Sequence, residues 1–525
     1  MPITKLKCPT CQGPAVSISE RLVAGLRMTM YKCGHADVQR QLTVTDFATY
    51  ISQDGKKPYD FQVKGALFGI ESNARCLIAD EMGLGKTVQA DMILWSHPRE
   101  LLKVLWLGKA GLSTQVCQEF TRWNGETWMM QQIHHENDFL LPGALGFYIS
   151  FDTLWRFKDI PALMQRLKVK TVILDEVQHL KNSGAKRTNG VREACNCVKN
   201  IIALSGTPIS NHAGEFFNIL NILHPERFRT KSEYDTIWVD TYWSGRALRY
   251  GGLKNYERFK QYTSDFIIRR TRAEVLPDLP PISREFRFSE LGERVEAAYK
   301  EIYKEFQDYY TGSAADDADF VRQSNILAYL SKMRHLTGIA KIEPALSFLE
   351  DFITSTDRKI VVFTHHKDVS NKLLELLTDL QVADPATWGG PILRLPEDPG
   401  LRQATIEQFR DTDSRIMLAA TLASSEGINL QFCADAIMLE RQWTPIKEEQ
   451  AEARFPRPGQ TASAITITYM VAVGTVDEFL AKLVEKKRSF VSNALDGASY
   501  EWSESSIIKE LAEVLASSGG TQWGW

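Results

Sequence analysis

The sequence predicts an α/β chain of two parallel sheets layered with helices, preceded by a small cysteine-bearing module. Three observations carry that fold class. Short apolar, β-rich runs alternate with helical patterns in one block from Cys76 to Leu204 and in a second from Lys359 to Leu439, the pattern of parallel sheets covered on both faces. Gly85-Lys86-Thr87 joins the first strand of the first block to a helix. Leu279-Pro280-Pro281 interrupts the chain between the blocks and is read as the hinge. The expected domains are a zinc-ribbon module over 1–45, a first lobe over 46–281 with a helical insertion at about 215–268, and a second lobe over 282–495. The second lobe carries a helical segment at about 290–345, and a C-terminal helix and tail occupy 496–525.

Composition narrows the class. The 525 residues hold 62 Lys+Arg against 65 Asp+Glu, so a nucleic-acid partner must be met by a local patch rather than by bulk charge. Met1 to Lys7 lacks the apolar core of a signal peptide, and no run approaches the roughly 18 apolar residues of a membrane span. An intracellular, soluble protein without a membrane partner is expected. Five of the eight cysteines, Cys76, Cys117, Cys195, Cys197 and Cys433, lie in apolar or helical contexts and read as small buried thiols.

Taken in order, the chain opens with Cys8-Pro-Thr-Cys11, followed 22 positions later by Cys33-Gly-His35. Two short ligand pairs bridged by an alternating segment, Arg27 to Tyr31, suit tetrahedral Zn²⁺; four protein ligands leave no open position, so the role is structural. An incidental Cys-x-x-Cys with an unrelated histidine is the alternative. Tyr59-Asp-Phe-Gln62 follows. The carboxamide of Gln62 can pair with both edges of adenine, a role that depends on its neighbours.

Ile78 to Thr87 reads Ile-Ala-Asp-Glu-Met-Gly-Leu-Gly-Lys-Thr. Gly83 and Gly85 let backbone N–H groups approach phosphate oxygens, Lys86 brings an ammonium to the β- and γ-phosphates, and Thr87 offers a hydroxyl to Mg²⁺. The general motif has glycine where this chain has Asp80. Strand-like runs continue at Val104 to Leu107 and Gly146 to Ser150, and at Thr171 to Leu174, which ends in Asp175-Glu176. Two carboxylates at the carboxyl end of a strand lie where α/β folds bind ligands: Asp175 would hold Mg²⁺ and Glu176 would polarise the attacking water. Ile201 to Leu204 ends in Ser205-Gly-Thr207, open to two readings: small hydroxylated residues that sense the γ-phosphate and relay its presence, or a simple turn.

The insertion is rich in aromatic residues expected in its core, Phe216, Phe217, Tyr234, Trp238, Tyr242, Trp243 and Tyr256. Arg269-Arg-Thr-Arg272 is a basic cluster open to two readings, a salt-bridged face or a nucleic-acid contact. The second block adds strands at Lys359 to Phe363, Ile416 to Ala419 and Ala436 to Leu439. Near its end, Arg454 and Arg457, three apart on an expected helical start, can face one side and reach a γ-phosphate across the cleft. A last amphipathic set, Ile507, Ile508, Leu511, Val514 and Leu515, precedes a Gly/Ser tail.

The order and spacing of these pieces, from about Tyr59 to Leu480, resemble the Swi/Snf-type, chromatin-remodeller-like ATPases of helicase superfamily 2. The resemblance rests on Asp80-Glu-Met-Gly-Leu-Gly-Lys-Thr87, Leu204-Ser-Gly-Thr-Pro-Ile-Ser-Asn211, Ile268-Arg-Arg-Thr-Arg-Ala-Glu-Val-Leu276, Glu426-Gly-Ile-Asn-Leu430 and Gln450 to Gln460. Phe363-Thr-His-His-Lys367 looks like the annealing-helicase branch. The resemblance implies two RecA-like lobes and ATP hydrolysis coupled to movement along double-stranded DNA in remodelling, repair, replication or recombination. By the same transfer, Gln62 contacts adenine, Lys86 and Thr87 the phosphates and Mg²⁺, Asp175 and Glu176 the metal and water, and Arg454 and Arg457 the γ-phosphate. Three positions depart from the family: Gln178 stands where histidine is usual, Ser424-Ser425 replaces Gly-Gly, and Pro456 and Pro458 flank Arg457. They motivate one alternative, an ATP-switched DNA clamp or scaffold with little turnover; a strand-separating DNA or RNA helicase is a further reading. A bacterial or viral genome-maintenance setting is the expected context.

Overall fold

The computed structural model describes residues 47–126, 128–182, 184–209, 212–243, 248–312, 319–421, 428–494 and 504–517, together with five short strands within the first 46 residues. The first block folds into a seven-stranded sheet of β1 (Arg75–Ile78), β2 (Val104–Gly108), β3 (Met130–Gln132), β4 (Gly146–Ser150), β5 (Thr171–Asp175), β6 (Asn200–Leu204) and β7 (Ile267–Ile268), ordered β7-β1-β6-β5-β2-β4-β3. Every pairing is parallel. Such strands are buried on both faces, and β5 shows the consequence: Val172 and Leu174 enter one core, while Ile173 enters the other with Trp106, Met92 and Phe120.

The second block is a six-stranded, all-parallel sheet. Its strands are β8 (Ile282–Ser289), β9 (Ile360–Thr364), β10 (Leu393–Arg394), β11 (Ile416–Ala420), β12 (Asp435–Met438) and β13 (Ile465–Ala472), in the order β8-β13-β12-β9-β11-β10. The sequence reading gives no strand to β8 or β13. β8 follows directly on the Pro280-Pro281 hinge, and its alternation of half-buried with exposed residues is that of an edge strand.

Three expectations change. The insertion is not wholly helical: Val239–Trp243 and Leu248–Leu253 form an antiparallel hairpin between the helices Lys231–Trp238 and Tyr256–Thr263, because β-branched and aromatic residues favour extended backbone. Its aromatic residues do build core, with Phe216, Phe217, Tyr234 and Trp238 buried. The C-terminal helix, Glu504–Ser517, is not an appendage. Ile507, Leu511 and Leu515 pack with Tyr299, Phe306, Leu330 and Val484 into a separate helical core of the second lobe. Finally, Cys197 is exposed and Cys117 half-buried, whereas Cys76, Cys195 and Cys433 are buried. Among the described residues no helix is long and apolar enough to cross a membrane.

In the N-terminal segment, Leu6–Lys7 pairs antiparallel with Pro14–Ala15, and Leu26–Tyr31 pairs with both Ser17–Val23 and Ala36–Arg40. Cys8, Cys11, Cys33 and His35 themselves lie outside the described residues, as do Ser424 and Ser425.

Candidate functional site

The phosphate turn runs from the carboxyl end of β1 into the helix Lys86–Ser96. Gly83 and Gly85 hold φ of +89° and +69°, left-handed backbone that glycine adopts without a Cβ penalty. Lys86 Nζ donates to the carbonyls of Asp80 and Glu81 at 3.0 and 3.3 Å. Burial pushes its pKa down, while Glu176, Asp80 and Asp175 push it up. Thr87 follows in the first helical turn, half-buried.

Asp80 is explained by tertiary structure. Its carboxylate, fully buried, accepts from Arg270 Nε at 3.0 Å, from Arg270 Nη2, and from Gln89 Nε2 at 2.8 Å. Arg270 also donates to the Phe61 carbonyl and to Gln89 Oε1. Gly65 makes room for this clamp: a Cβ there would come within 1.9 Å of Gln89 Oε1. Next along the turn, Glu81 accepts from Arg272 N and Nε, both at 2.7 Å. Of the two readings of the Arg269–Arg272 cluster, these bonds support the salt-bridged face for Arg270 and Arg272. Nothing in sequence spacing points across the 190 residues between Asp80 and Arg270.

The acidic pair ends β5. Asp175 accepts from Trp106 Nε1 at 3.3 Å, and burial, then the neighbouring Glu176, push its carboxyl up to about 7. Glu176 sits at φ +52°, uncommon for a residue with a side chain and typical of functional sites. Gln178 Nε2 donates to Glu176 Oε2 at 2.5 Å, and Ser205 Oγ donates to Gln178 Oε1 at 2.6 Å. Ser205 Oγ in turn accepts from Thr207 N at 3.1 Å. A chain of hydrogen bonds therefore runs from the Glu176 carboxylate to the end of β6, with glutamine in the place where the resembling family usually has histidine. A Cβ on Gly206 would lie 2.4 Å from Met82 Cγ and 3.5 Å from Lys86 Nζ, so this strip touches the phosphate turn directly.

Gln62 is 7 % exposed, and its carboxamide ties the start of the helix Asp60–Glu71 to the turn. Oε1 accepts from Tyr59 N at 2.9 Å, and Nε2 donates to Leu84 O at 3.1 Å. One lone pair and one N–H of the carboxamide make no hydrogen bond among the described residues.

The second lobe reaches the same turn. Arg454 and Arg457 lie beyond the C-terminal end of the helix Pro445–Glu452, not on a helical start; Pro456 and Pro458 remove donors and end the helix. Arg457 Nη1 donates to Asn429 Oδ1 at 3.0 Å and Nε to Ala453 O at 3.2 Å. A Cβ placed on Gly83 would stand 3.6 Å from Ala453 O and 3.9 Å from Arg457 Cγ. Burial first, then Arg454 and more weakly Arg272, push Arg457 down to about 9, against the opposing pull of Glu119. Lys86, Arg272, Arg454 and Arg457, all half-buried, concentrate positive charge at the turn, which suits a polyphosphate. Asp175 and Glu176, two carboxylates beside Lys86, suit a divalent cation. Among the described residues no group of three or more His, Cys, Asp or Glu side chains is arranged to hold a metal by itself, so Mg²⁺ here would need oxygens from a bound phosphate.

A model of the SNF2-related domain matches residues 30–341, more than half of the chain. The chain belongs to the SNF2-related family. The helicase conserved C-terminal domain matches residues 344–459 of this SNF2-related chain. Its curated relatives include a mouse protein, "DNA annealing helicase and endonuclease ZRANB3", 25% identical over 448 residues covering 83% of this chain and 40% of that one. A second, from Xenopus tropicalis, is "SWI/SNF-related matrix-associated actin-dependent regulator of chromatin subfamily A-like protein 1", 26% identical over 472 residues covering 87% and 47%. The chain thus spans less than half the length of these relatives. A solved structure, "Sulfolobus solfataricus SWI2/SNF2 ATPase core in complex with dsDNA", aligns over 88% of this chain and 96% of its own at 21% identity and a TM-score of 0.38.

Proposed function

We propose that this SNF2-related chain is a DNA-stimulated ATPase that moves along double-stranded DNA. The observation that carries the ATPase reading is the approach of lobe 2 to the phosphate turn, Arg457 against Gly83, with Arg457 near enough to Arg272 of the first lobe for the two charges to repel. In this reading the backbone N–H groups of the turn and Lys86 hold the β- and γ-phosphates, and Gln62 reads the adenine edge. Thr87 and Asp175 would hold Mg²⁺, which supplies charge neutralisation at the β- and γ-phosphate oxygens. Glu176 orients the attacking water and accepts its proton, while Arg454 and Arg457 neutralise charge as the γ-phosphate leaves. The Gln178–Ser205 relay links that event to the end of β6. Duplex DNA as the track is supported by family membership and by the relatives whose names describe DNA annealing helicases.

The test is steady-state ATP turnover with no nucleic acid, single-stranded DNA, duplex DNA and RNA. Duplex DNA is expected to stimulate most, and Arg457→Ala to lose about 10³-fold or more, the scale of arginine fingers. Undiminished turnover in Lys86→Ala would overturn the site assignment. Displacement of a triplex-forming strand without duplex unwinding separates translocation from strand separation.

We also propose a structural Zn²⁺ on Cys8, Cys11, Cys33 and His35. The strand pairings support it, since each ligand pair falls between two antiparallel strands, as in zinc ribbons. Metal analysis of the chain against Cys8→Ser reads the outcome directly: equal metal content in the two sinks it.

A further inference from the structure

On the first-lobe insertion, the helices Lys231–Trp238 and Tyr256–Thr263 enclose a hollow of about 190 Å³, away from the residues assigned to ATP. We propose that it is a docking site for a short segment of a partner protein, one large apolar side chain flanked by Asp or Glu. Size decides the first half: sites for nucleotides and comparable ligands run to about 300–1,000 Å³, so this volume suits one side chain.

The walls decide the chemistry. Trp238 and Tyr262 meet with ring centroids 5.2 Å apart, Trp238 lining the floor and Tyr262 the rim. Tyr262 and Ile237 are each 42 % exposed, apolar surface held out to solvent beside the opening. The Arg258 guanidinium lies over the Trp238 ring at 5.5 Å, and Arg229 donates from Nε to the Glu226 carbonyl. Both side chains are exposed, and neither makes an ion pair among the described residues. Arg229 and Arg258, two guanidiniums without an ion pair among the described residues, outnumber the single carboxylate of the lining, Glu233, and match a partner's acids around an apolar anchor, the Arg-plus-aromatic composition of protein interface hot spots.

Nucleic acid is the competing occupant, since bases stack on rings and phosphates pair with arginine. The charge pattern argues against it. Arg227, the third arginine of the lining, is already held by both oxygens of Asp265, so two guanidiniums remain among the lining residues, too few for the continuous cationic groove that a phosphate backbone follows. The proposal does not depend on whether the chain hydrolyses ATP.

Fluorescence anisotropy with the full chain tests it, using labelled nonapeptides with a central Trp, Phe or Leu between runs of Asp and Glu. Comparison peptides carry a central Gly, or Asn and Gln flanks. Saturable binding by an apolar-centred acidic peptide is expected, weakened at least about tenfold by Arg229→Glu, by Arg258→Glu and by either comparison peptide. Both arginines are exposed, so an unchanged melting temperature verifies the fold of the variants. The proposal is overturned if no peptide saturates by about 1 mM, or if binding survives both charge reversals. It is equally overturned if a twenty-residue oligothymidylate binds and loses binding in the same variants while the peptides do not.

Discussion

Replacing Arg270 with methionine should destabilise the first lobe strongly. The substitution keeps an unbranched apolar stem but removes two of the three donors to the Asp80 carboxylate, leaving only Gln89 Nε2 at 2.8 Å. Asp80 is fully buried and its partner 14 % exposed, so water cannot replace the lost bonds. Breaking a buried pair by removing one partner costs about 3–5 kcal/mol. A domain of this size melts about 2–4 °C lower per kcal/mol, giving a fall of roughly 6–20 °C in the first-lobe transition. Differential scanning calorimetry reads it, with the second-lobe transition as an internal reference. Because Asp80 and Glu81 carbonyls hold Lys86 Nζ, nucleotide affinity should fall as well. The double variant Asp80→Leu with Arg270→Met removes both charges and should recover most of the loss. A first-lobe transition within about 2 °C of the wild type in the single variant would refute the clamp, being under 1 kcal/mol on the same scale.

Other consequences can be checked with the same material. Asp91 is fully buried with both carboxylate oxygens lacking a hydrogen bond, and burial, then Glu119, push its pKa well up. The folded chain keeps a proton that the unfolded chain releases near pH 4, so Asp91 lowers stability as pH rises above that value, by about 1.4 kcal/mol per unit until the folded pKa is reached. Asp91→Asn should therefore melt progressively higher than the wild type between pH 5 and 7; a difference independent of pH would contradict this. At Asp175, held up to about 7, a proton competes with a metal. The Mg²⁺ concentration that half-saturates ATP turnover should rise about tenfold per pH unit below that value, and a flat profile from pH 8 to 6 would count against Asp175 as a ligand. Gln178→Leu strips partners from Glu176 and from the buried Ser205 hydroxyl, at about 1–3 kcal/mol of stability. It should blunt duplex stimulation more than basal turnover, with Gln178→His restoring stimulation.

The two sheets were legible because parallel strands are buried on both faces and read as continuous apolar runs; β2, β4, β5, β6, β9, β11 and β12 all announce themselves this way. The short strands β3, β7 and β10, of two or three residues, offer no period to detect. The exposed alternation of β8 was hidden behind the hinge.

Sequence alone determined the form of the turn. Gly83 and Gly85 supply its left-handed backbone and the helix starts at Lys86, local geometry that neighbouring residues suffice to specify. The acidic pair is likewise fixed by its place at the end of a strand. What only tertiary structure decided are the partners: Arg270 for Asp80, Ser205 for Gln178, and Gly83 for an arginine some 370 residues later. The reason is physical. A hydrogen bond or ion pair between distant residues leaves no period in the chain, and its strength depends on burial, which exists only once the sheets have packed.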